Sequence, residues 1–260
     1  MVAQALTRLA PTAGSGHGSP MIPASPHNQP QPPARNAPDF THVRDWIFDL
    51  DNTLYRADNG IFAQIDANMT RFVAQLLGME RDAARLIQKQ LYRDHGTTLA
   101  GLVAVHKIDP EPYLAFVHDI DLSGLLPDPA LRDALKRLPG RRFVFTNGCR
   151  NHAARILERL ALADLFDQVW DIRTIGFVPK PGPEAYDAAV AAGNITPAKA
   201  AMFDDIARNL VVPHDLGMTT VWLDCQSDWS RQGPEFPVAS TAHIDHETRD
   251  LVPFLSNIGI

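Results

Sequence analysis

The sequence predicts an α/β protein in which a doubly wound parallel sheet (a Rossmann-like core) carries an α-helical cap, inserted after the first core strand. Three observations support this fold. A short apolar strand at 46–48 ends directly before Asp49 and Asp51. Residues 57–125 then show helical periodicity without a strand pattern, and from Ala130 onward strands alternate with helices. Strands separated by helices of this length indicate right-handed βαβ units and a parallel sheet.

The same observations divide the chain into three regions. Residues 1–40 are rich in Pro, Gly, Ala and Ser and contain few large apolar side chains, so burial cannot offset the entropy of ordering them. This region is predicted to be a disordered tail. The core is predicted to comprise residues 41–56 and 126–260, and the cap residues 57–125.

Composition limits the classes of function. The chain has 260 residues, 45% hydrophobic and 21% charged, as is usual for a soluble globular protein. Its formal net charge of −6 argues against a general partner such as a nucleic-acid polymer or a membrane surface. With two cysteines, Cys149 and Cys225, a disulfide framework is excluded and a reducing cytoplasmic location is expected.

Four helices are predicted in the cap. The first ends at Gly78, which stands where a C-cap glycine belongs, and its apolar face is formed by Ile65, Met69, Phe72, Val73, Leu76 and Leu77. A second helix is predicted from about Glu80 to His95 and a third over 98–107. The fourth follows Asp109-Pro110, because an N-cap aspartate followed by proline favours a helix start.

The core pattern is an alternation of strands and helices. Apolar β-branched and aromatic runs predict the strands, and periodic apolar faces predict the helices. The predicted elements are helix 130–138, strand 142–145, helix 152–161, strand 168–172, helix 183–192, strand 200–203, a helix from Ile206, strand 220–223 and a final helix over 246–254.

Polar residues follow the core strands at the points where the strands end. Asp49 and Asp51 follow the first strand, Thr146-Asn147 the second and Asp204-Asp205 a later one. Because alternate residues of an extended chain point the same way, the Asp49 and Asp51 carboxylates leave the strand together. In open α/β sheets the carboxyl ends of the strands meet at the ligand-binding crevice.

Charge balance at this crevice predicts a metal ion. Carboxylates held this close raise the pKa of one another or repel, and a divalent cation together with Lys180 would relieve the repulsion. Lys180 lies in a Pro-Lys-Pro-Gly-Pro loop that restricts its freedom. A donor set made only of oxygen atoms favours Mg²⁺ over zinc.

Each of these residues also has a purely structural interpretation. Thr146 and Asp204-Asp205 are good helix caps, and a lysine is usually a solvated surface residue. The histidines 95, 106, 118 and 152 are interpreted as surface or packing residues, because no pair has metal-ligand spacing. The functional interpretation depends on the order in which the motifs occur.

That order resembles the haloacid dehalogenase superfamily. The four motifs are Asp-Leu-Asp-Asn-Thr at 49–53, Thr146-Asn147, Lys180-Pro181 and Asp204-Asp205, and the resemblance covers nearly all of residues 44–225. Within the superfamily, the cap segment 92–102 resembles that of pyrimidine 5′-nucleotidases. Asn147, His152-Ala153 and the run 203–210 resemble the same branch.

The resemblance implies a role for each motif residue. Asp49 would be the nucleophile that forms an aspartyl-phosphate, and Asp51 the acid and base that exchanges protons with the leaving group and water. Thr146 would hold phosphoryl oxygens, and Lys180 would neutralise charge. Mg²⁺ would be held by Asp49, the Asp51 backbone carbonyl and Asp204, with Asp205 either as a further ligand or directly behind the ligands. The expected substrate-binding residues are Asn147, Tyr92, Thr97, Thr98 and Lys107.

The expected activity is therefore hydrolysis of a small phosphorylated metabolite, with a nucleoside monophosphate such as UMP or CMP favoured. Sugar phosphates, phosphoglycolate and vitamin-precursor phosphates remain open, because the core motifs contact only the phosphate. A haloacid dehalogenase needs neither a metal nor an acid at position 51. A non-enzymatic receiver domain also gathers acids, a threonine and a lysine, but it lacks a helical insert after its first strand.

Overall fold

A computed structural model of the chain describes residues 37–225 and 240–260. In these residues six strands form one sheet, in which every neighbouring pair is parallel and the order is β3-β2-β1-β4-β5-β6. The strands are β1 (Asp45–Phe48), β2 (Arg141–Phe145), β3 (Gln168–Trp170), β4 (Ala200–Asp204), β5 (Thr219–Leu223) and β6 (His246–Thr248).

Helices precede, connect and follow these strands in the described part of the chain. They are α1 (Ile61–Leu77), α2 (Arg81–His95), α3 (Thr98–His106), α4 (Pro110–Val117), α5 (Pro129–Arg137), α6 (Arg150–Arg159), α7 (Pro183–Gly193), α8 (Val211–Asp215) and α9 (Leu251–Asn257). Short 3₁₀ turns at 57–59, 163–165, 197–199 and 207–210 complete the connections. The parallel sheet with flanking helices is the predicted Rossmann-like α/β fold.

The strand order places a topological switch point beside β1. The chain adds β2 and β3 on one side of β1 and then returns to add β4, β5 and β6 on the other side. Ligands of open α/β sheets bind outside the carboxyl ends of the strands at such a point, because the connections diverge there and leave a crevice. The two strands that flank β1 therefore define where a site is expected.

Alternate strand residues supply two separate hydrophobic layers. Trp46 and Phe48 lie in the cluster that includes α5, α6 and α9, whereas Ile47 lies in the cluster that includes α7 and most of the buried cap residues. All four residues of β1 are buried, as expected for a central strand covered on both faces. The sheet therefore lies between two layers, and only its ends are open to ligand.

Local capping explains the bounds of the cap helices. Gly78 adopts φ 62° after α1, a left-handed conformation that glycine tolerates without a Cβ clash. The Thr97 hydroxyl accepts from the Ala100 N–H at 3.1 Å to start α3. The Asp109 carboxylate accepts from the Glu111 N–H at 3.0 Å to start α4. These caps lie where the sequence predicts the helix ends.

Asp66 of α1 is a buried carboxylate that joins the first two cap helices. It accepts hydrogen bonds from Arg85, Gln88 and Lys89 of α2 at 2.7–2.9 Å. Burial alone would raise the pKa of Asp66, but these donors outweigh it and hold the pKa below the usual 3.8. The carboxylate form is therefore the one that stabilises the helix pair.

We expect Asp66→Asn to lower the free energy of unfolding by about 1–3 kcal/mol at pH 7, the cost of weakening charged hydrogen bonds at a buried site. A depressed native pKa means that the unfolded chain takes up the proton first. The difference in unfolding free energy between wild type and Asp66→Asn is therefore complete above pH ~5 and is lost as the pH falls through the folded pKa below 3.8. Urea unfolding of both proteins at several pH values measures this difference.

The matched control is Asp187→Asn, which makes the same chemical change at an exposed position of α7. It should leave the unfolding free energy unchanged within about 0.5 kcal/mol. An Asp66→Asn protein as stable as the control variant at pH 7 would contradict the role given to Asp66.

Two sequence expectations at the chain ends need correction. The predicted final helix over 246–254 is wrong in its first part, because residues 246–248 form the edge strand β6 and the helix begins at Leu251. Three polar residues are too few for periodicity to separate strand from helix. Phe40, assigned to the tail, is fully buried against Trp46 and Phe203, so ordered packing already includes this residue.

The remaining expectations about organisation stay predictions. The tail over 1–36 and the part of the core over 226–239 lie outside the described residues. The cap over 57–125 as a separate domain is also still a prediction, although α1 to α4 all lie within it. Among the residues described, no helix combines the length and the hydropathy needed to cross a membrane.

Candidate active site

Strand register brings the ends of three strands together. Phe48 of β1 pairs with Val144 of β2 on one side and with Phe203 of β4 on the other. The Asp49 N–H continues the ladder by donating to the Phe203 carbonyl at 2.8 Å. Asp49, Thr146 and Asp204 therefore emerge at the same edge of the sheet, because parallel strands in register end at equivalent positions.

Lys180 lies between two of the predicted acids. Its ammonium donates to Asp49 Oδ1 at 2.7 Å, to Asp204 Oδ2 at 2.6 Å and to the Phe145 carbonyl at 2.9 Å. Burial of this side chain, which is 1% exposed, favours the neutral amine, but the two carboxylates outweigh it and raise the pKa of Lys180 above its ordinary value. The lysine is therefore charged, and each of its three protons has an acceptor.

Three acids form a compact cluster beside this ammonium. One carboxylate oxygen from each of Asp49, Asp204 and Asp205 lies within 4.8 Å of the other two. Burial and the neighbouring Asp204 raise the pKa of Asp49 to about 7, although Lys180 opposes the shift. Burial and the charges of Asp49 and Asp204 likewise raise the pKa of Asp205 well above its ordinary value. The cluster thus holds more negative charge than the Lys180 ammonium balances.

A divalent cation fits this cluster. The donors are all carboxylate oxygens, which hard cations prefer. The buried carbonyl oxygens Asn52 Oδ1 and Asn209 Oδ1 have no hydrogen-bond partner among the described residues, so oxygen acceptors remain available near the acids. Asn52 Nδ2 and Asn209 Nδ2 face Asp205 and Asp204 at 3.4 and 3.0 Å. The acidic triad can therefore hold a divalent metal ion.

Asp51 has different surroundings from the three clustered acids. Its Oδ1 atom accepts from the Tyr55 hydroxyl and lies 2.7 Å from His152 Nε2. Burial alone would raise the pKa of Asp51, but His152 and Tyr55 outweigh it and lower the pKa to about 2. Asp49 and Asp51 thus sit two residues apart with pKa values moved in opposite directions, as acid–base pairs in active sites often are.

The side chains of the Thr146-Asn147 motif form hydrogen bonds with nearby backbone groups. The Thr146 hydroxyl accepts from the Gly148 N–H at 2.9 Å. Asn147 Oδ1 accepts from the Lys180 N–H at 2.8 Å, and its amide group donates to the Lys180 carbonyl at 3.2 Å. Asn147 therefore fastens the Lys180 loop to the end of β2, a role that sequence reasoning did not assign to it.

A cavity of about 160 Å³ opens above these residues, between the core and the cap. Asp49, Asp51 and Lys180 line its core side, and Tyr92, Thr97 and Thr98 line its cap side together with apolar residues of α1, α3 and α4. The structure thus brings five of the predicted residue groups to one space: the nucleophile pair, the threonine–asparagine pair, the lysine, the later acids and the cap residues.

Lys107 does not join them. It is exposed at the C-terminus of α3 and does not line the cavity. The N-terminus of α3 faces the cavity through Thr97 and Thr98, and Lys107 lies nine residues further along, about 13 Å at the helical rise. The structure therefore does not bring Lys107 to this cavity with the other predicted residues, because proximity in sequence does not ensure proximity in space.

Tyr92 is held by a residue that sequence reasoning missed. Arg208 donates to the Tyr92 hydroxyl at 2.8 Å and to the Gly96 carbonyl at 3.2 Å, and its guanidinium lies 4.9 Å from the ring centroid. Arg208 follows β4, whereas Tyr92 and Gly96 belong to the cap. This contact between the two regions carries no local sequence signal, since the partners are more than a hundred residues apart.

His152 is the second missed residue. It is 1% exposed and packs against His118, so the packing interpretation holds, but its Nε2 atom also contacts Asp51, which the sequence did not predict. Tyr55 has a local signal that was available: it lies four residues after Asp51, within reach when the chain turns back after a strand. For His152 the resemblance of His152-Ala153 to the nucleotidase branch gave no role, and the packing of α6 on the sheet brings it to the site.

Comparison with known proteins agrees with this geometry. A family model described as haloacid dehalogenase-like hydrolase matches residues 46–211, which include all four motifs. Phosphate metabolism protein 8 of Saccharomyces cerevisiae is 31% identical over 190 residues. The match covers 66% of this chain, which spans 59% of the length of the yeast protein.

Solved structures share the fold at low identity. A HAD phosphatase from Thermococcus onnurineus superposes with a TM-score of 0.53 at 17% identity, covering 84% of this chain and 100% of that one. The putative HAD hydrolase YfnB from Bacillus subtilis gives 0.52 at 15% identity, covering 84% and 99%. The L-2-haloacid dehalogenase of Xanthobacter autotrophicus gives 0.50 at 15%, covering 82% and 97%. The fold, the order of the four motifs and the family match agree, and the chain belongs to the haloacid dehalogenase-like hydrolases.

Proposed function

We propose that this protein is a Mg²⁺-dependent phosphatase that hydrolyses small phosphomonoesters through an aspartyl-phosphate. The observation that carries the proposal is the convergence of Asp49, Lys180 and Asp204 beside a cavity that Asp51 also lines. The site offers a nucleophilic carboxylate, a second carboxylate two residues away and a buried ammonium. Phosphoryl transfer needs mainly such positioning and charge neutralisation.

Each step uses residues of this chain. An Asp49 oxygen attacks phosphorus while the bond to the leaving oxygen breaks. Asp51, on which the negative charge of the bound phosphate favours proton uptake, gives a proton to that leaving oxygen. A water molecule then attacks the phosphorus of the aspartyl-phosphate, gives its proton to Asp51 and releases phosphate with Asp49 regenerated. Lys180 and Thr146 stabilise the phosphoryl oxygens.

Asp49, the Asp51 backbone carbonyl and Asp204 would hold Mg²⁺, with Asp205 close by. A bound Mg²⁺ would supply charge neutralisation for the phosphoryl group and the nucleophile. The preference for this hard cation over zinc rests on a donor set made of oxygen atoms. A haloacid dehalogenase would need neither this cluster nor the carboxylate at position 51.

For the leaving group we propose a nucleoside monophosphate, with a pyrimidine base favoured. Tyr92 supplies an aromatic face on the cap side of the cavity, and Thr97 and Thr98 supply hydroxyl groups there. An aromatic ring suits a planar base, and hydroxyl groups suit its polar edge. The alternative substrates are other small metabolites, such as a sugar phosphate or phosphoglycolate.

Purified protein should release phosphate in the presence of Mg²⁺, and EDTA should remove the activity until excess Mg²⁺ restores it. The screen compares UMP and CMP with AMP, GMP, ribose 5-phosphate and phosphoglycolate at equal concentrations. We expect kcat/KM for the pyrimidine nucleotides to exceed that for the sugar phosphate by at least about tenfold, because a base that fills the pocket adds binding of this size in the transition state.

The outcomes separate the parts of the proposal. Phosphate release that EDTA does not affect would contradict the metal dependence. Halide release from 2-chloropropionate without phosphate release would identify a dehalogenase instead. A preference for phosphoglycolate or ribose 5-phosphate would keep the phosphatase and overturn the nucleotide assignment.

A further inference from the structure

The two carboxylate oxygens of Asp51 have different surroundings. Oδ1 accepts from the Tyr55 hydroxyl and from His152 Nε2, the latter at 2.7 Å. No donor to Oδ2 is found among residues 37–225 and 240–260. A carboxyl oxygen that already accepts two hydrogen bonds has little room to carry a proton, so any proton on Asp51 belongs on Oδ2.

His152 is held in a single orientation. It is 1% exposed, and its ring stacks on His118 with centroids 4.3 Å apart and planes 17° apart. His118 is itself anchored, since its Nδ1 lies 2.9 Å from the Leu114 carbonyl. The stack joins α6 of the core to the end of α4, and it leaves the His152 ring no free rotation about the Asp51 contact.

The tautomer of His152 follows from its hydrogen bonds. Its Nδ1 atom is buried and has no partner in the described part of the chain, whereas its Nε2 atom faces Asp51. A proton on Nδ1 would be buried without an acceptor, which costs more than leaving an acceptor unpaired on an aromatic nitrogen. The ring therefore carries its proton on Nε2 and donates to Asp51 Oδ1.

We propose that His152, together with Tyr55, is a positioning residue that holds Oδ1 of Asp51, so that Oδ2 is the oxygen that exchanges a proton with the leaving oxygen. The inference rests on the proposed phosphatase function and adds to it. In the first step an Asp49 oxygen bonds to phosphorus as the bond between phosphorus and the leaving oxygen breaks, and the proton on Asp51 Oδ2 moves to that leaving oxygen. In the second step a water oxygen bonds to phosphorus as the bond between phosphorus and Asp49 breaks, and a proton of that water moves to Oδ2.

This role has a signature that packing alone lacks. A weakly basic leaving group departs with little protonation, whereas a more basic one needs the proton in the transition state. Misplacing the proton should therefore slow the basic leaving group much more than the weakly basic one. The parameter kcat/KM reports this step, because the leaving group departs in the first chemical step.

The experiment compares 4-nitrophenyl phosphate with phenyl phosphate, which share the aryl phosphate group and differ by a nitro group that makes the phenolate released less basic. For His152→Ala we expect the ratio of kcat/KM, nitrophenyl over phenyl, to rise at least about tenfold over wild type, a part of the 10²–10⁴ that acid catalysis supplies. Tyr55→Phe, which removes the other donor, should raise the ratio in the same direction. His152→Gln, which keeps an N–H donor, should retain most of the wild-type ratio.

Arg159→Gln is the matched control. Arg159 lies two turns after His152 on α6, is exposed, and donates to the Ser123 carbonyl without a hydrogen bond to Asp51 or His118. Loss of this contact should change both substrates by the same factor. Equal losses on both substrates in His152→Ala and in Tyr55→Phe would overturn the inference.

Thermal unfolding of the variants and phosphate release by the wild type distinguish a folding defect from a loss of function. Thermal unfolding shows whether His152→Ala folds, and if it does not, Tyr55→Phe and His152→Gln decide between the outcomes, because both retain nearly the original volume. A wild-type protein that releases no phosphate from any monoester refutes the proposed function, whereas an active wild type with an unchanged ratio in folded variants refutes only the role of His152.

Discussion

Asp49→Asn is expected to abolish phosphate release from every monoester that the wild-type protein hydrolyses, by at least about 10³-fold in kcat, the scale on which nucleophile removal acts. The amide fills the same space as the carboxylate but cannot form the aspartyl-phosphate. The variant should remain folded, because Asp204 still accepts from the Lys180 ammonium at 2.6 Å.

The stability of this variant is part of the test. Asp49 is 7% exposed and shares its surroundings with two other acids, so the amide removes one charge from a crowded cluster. We therefore expect the Tm to stay within a few degrees of wild type or to rise. Asp133→Asn, at an exposed position of α5, makes the same change away from the cavity and should keep full activity.

Phosphate release by folded Asp49→Asn at near the wild-type rate would remove Asp49 as the nucleophile. Mass spectrometry gives a second readout, since wild-type protein quenched during turnover should carry a phosphoryl group on the peptide that contains Asp49. The asparagine variant should carry none.

Lys180→Met is expected to have the largest effect on stability. The lysine is among the largest fully buried side chains in the described residues and donates to two buried carboxylates. Removing one member of a buried charge network leaves the other charges uncompensated, at a cost of about 3–5 kcal/mol. Methionine keeps the length and apolar volume of the stem, so the loss reports the ammonium rather than a cavity.

Activity should fall with stability in this variant, since the phosphoryl group loses a cation beside the nucleophile. We expect a decrease of at least about 10²-fold in kcat/KM at saturating Mg²⁺, comparable to removing one preorganised charge stabiliser. Urea unfolding with and without Mg²⁺ extends the test, because a cation that binds the acids should restore part of the lost stability.

Lys107→Met is the matched control for Lys180→Met. Lys107 is exposed at the end of α3, so its loss should change neither unfolding nor kcat/KM. A Lys180→Met protein that matches this control in both measurements would contradict the central position given to the ammonium.

Much of the architecture follows from local features of the sequence. The apolar run of β1, the glycine after α1 and the Asp109-Pro110 start of α4 are local signals, and each element lies where its signal places it. Local signals did not predict the edge strand β6 or the burial of Phe40. Their structure depends on pairing with β5 and on packing against Trp46 and Phe203, which the local sequence does not encode.

The candidate site divides in the same way. The four motifs identify Asp49, Asp51, Lys180 and Asp204 because chemistry-bearing residues follow strand ends in a fixed order. The residues that support them, such as Asn147, His152 and Arg208, contact partners 33, 101 and 116 positions away. Such contacts exist only after the helices have packed on the sheet.

Local features of the chain predict the fold class and place the acids and the lysine of the motifs at strand ends, because strand periodicity and turn chemistry are local properties. Tertiary structure alone decided that Lys107 lies away from the cavity and that Arg208 joins the core to Tyr92. Tertiary packing also determines that His152 contacts Oδ1 of Asp51. The physical reason is that orientation and burial depend on how distant elements pack, and a carboxylate acquires its chemical character from the neighbours that packing supplies.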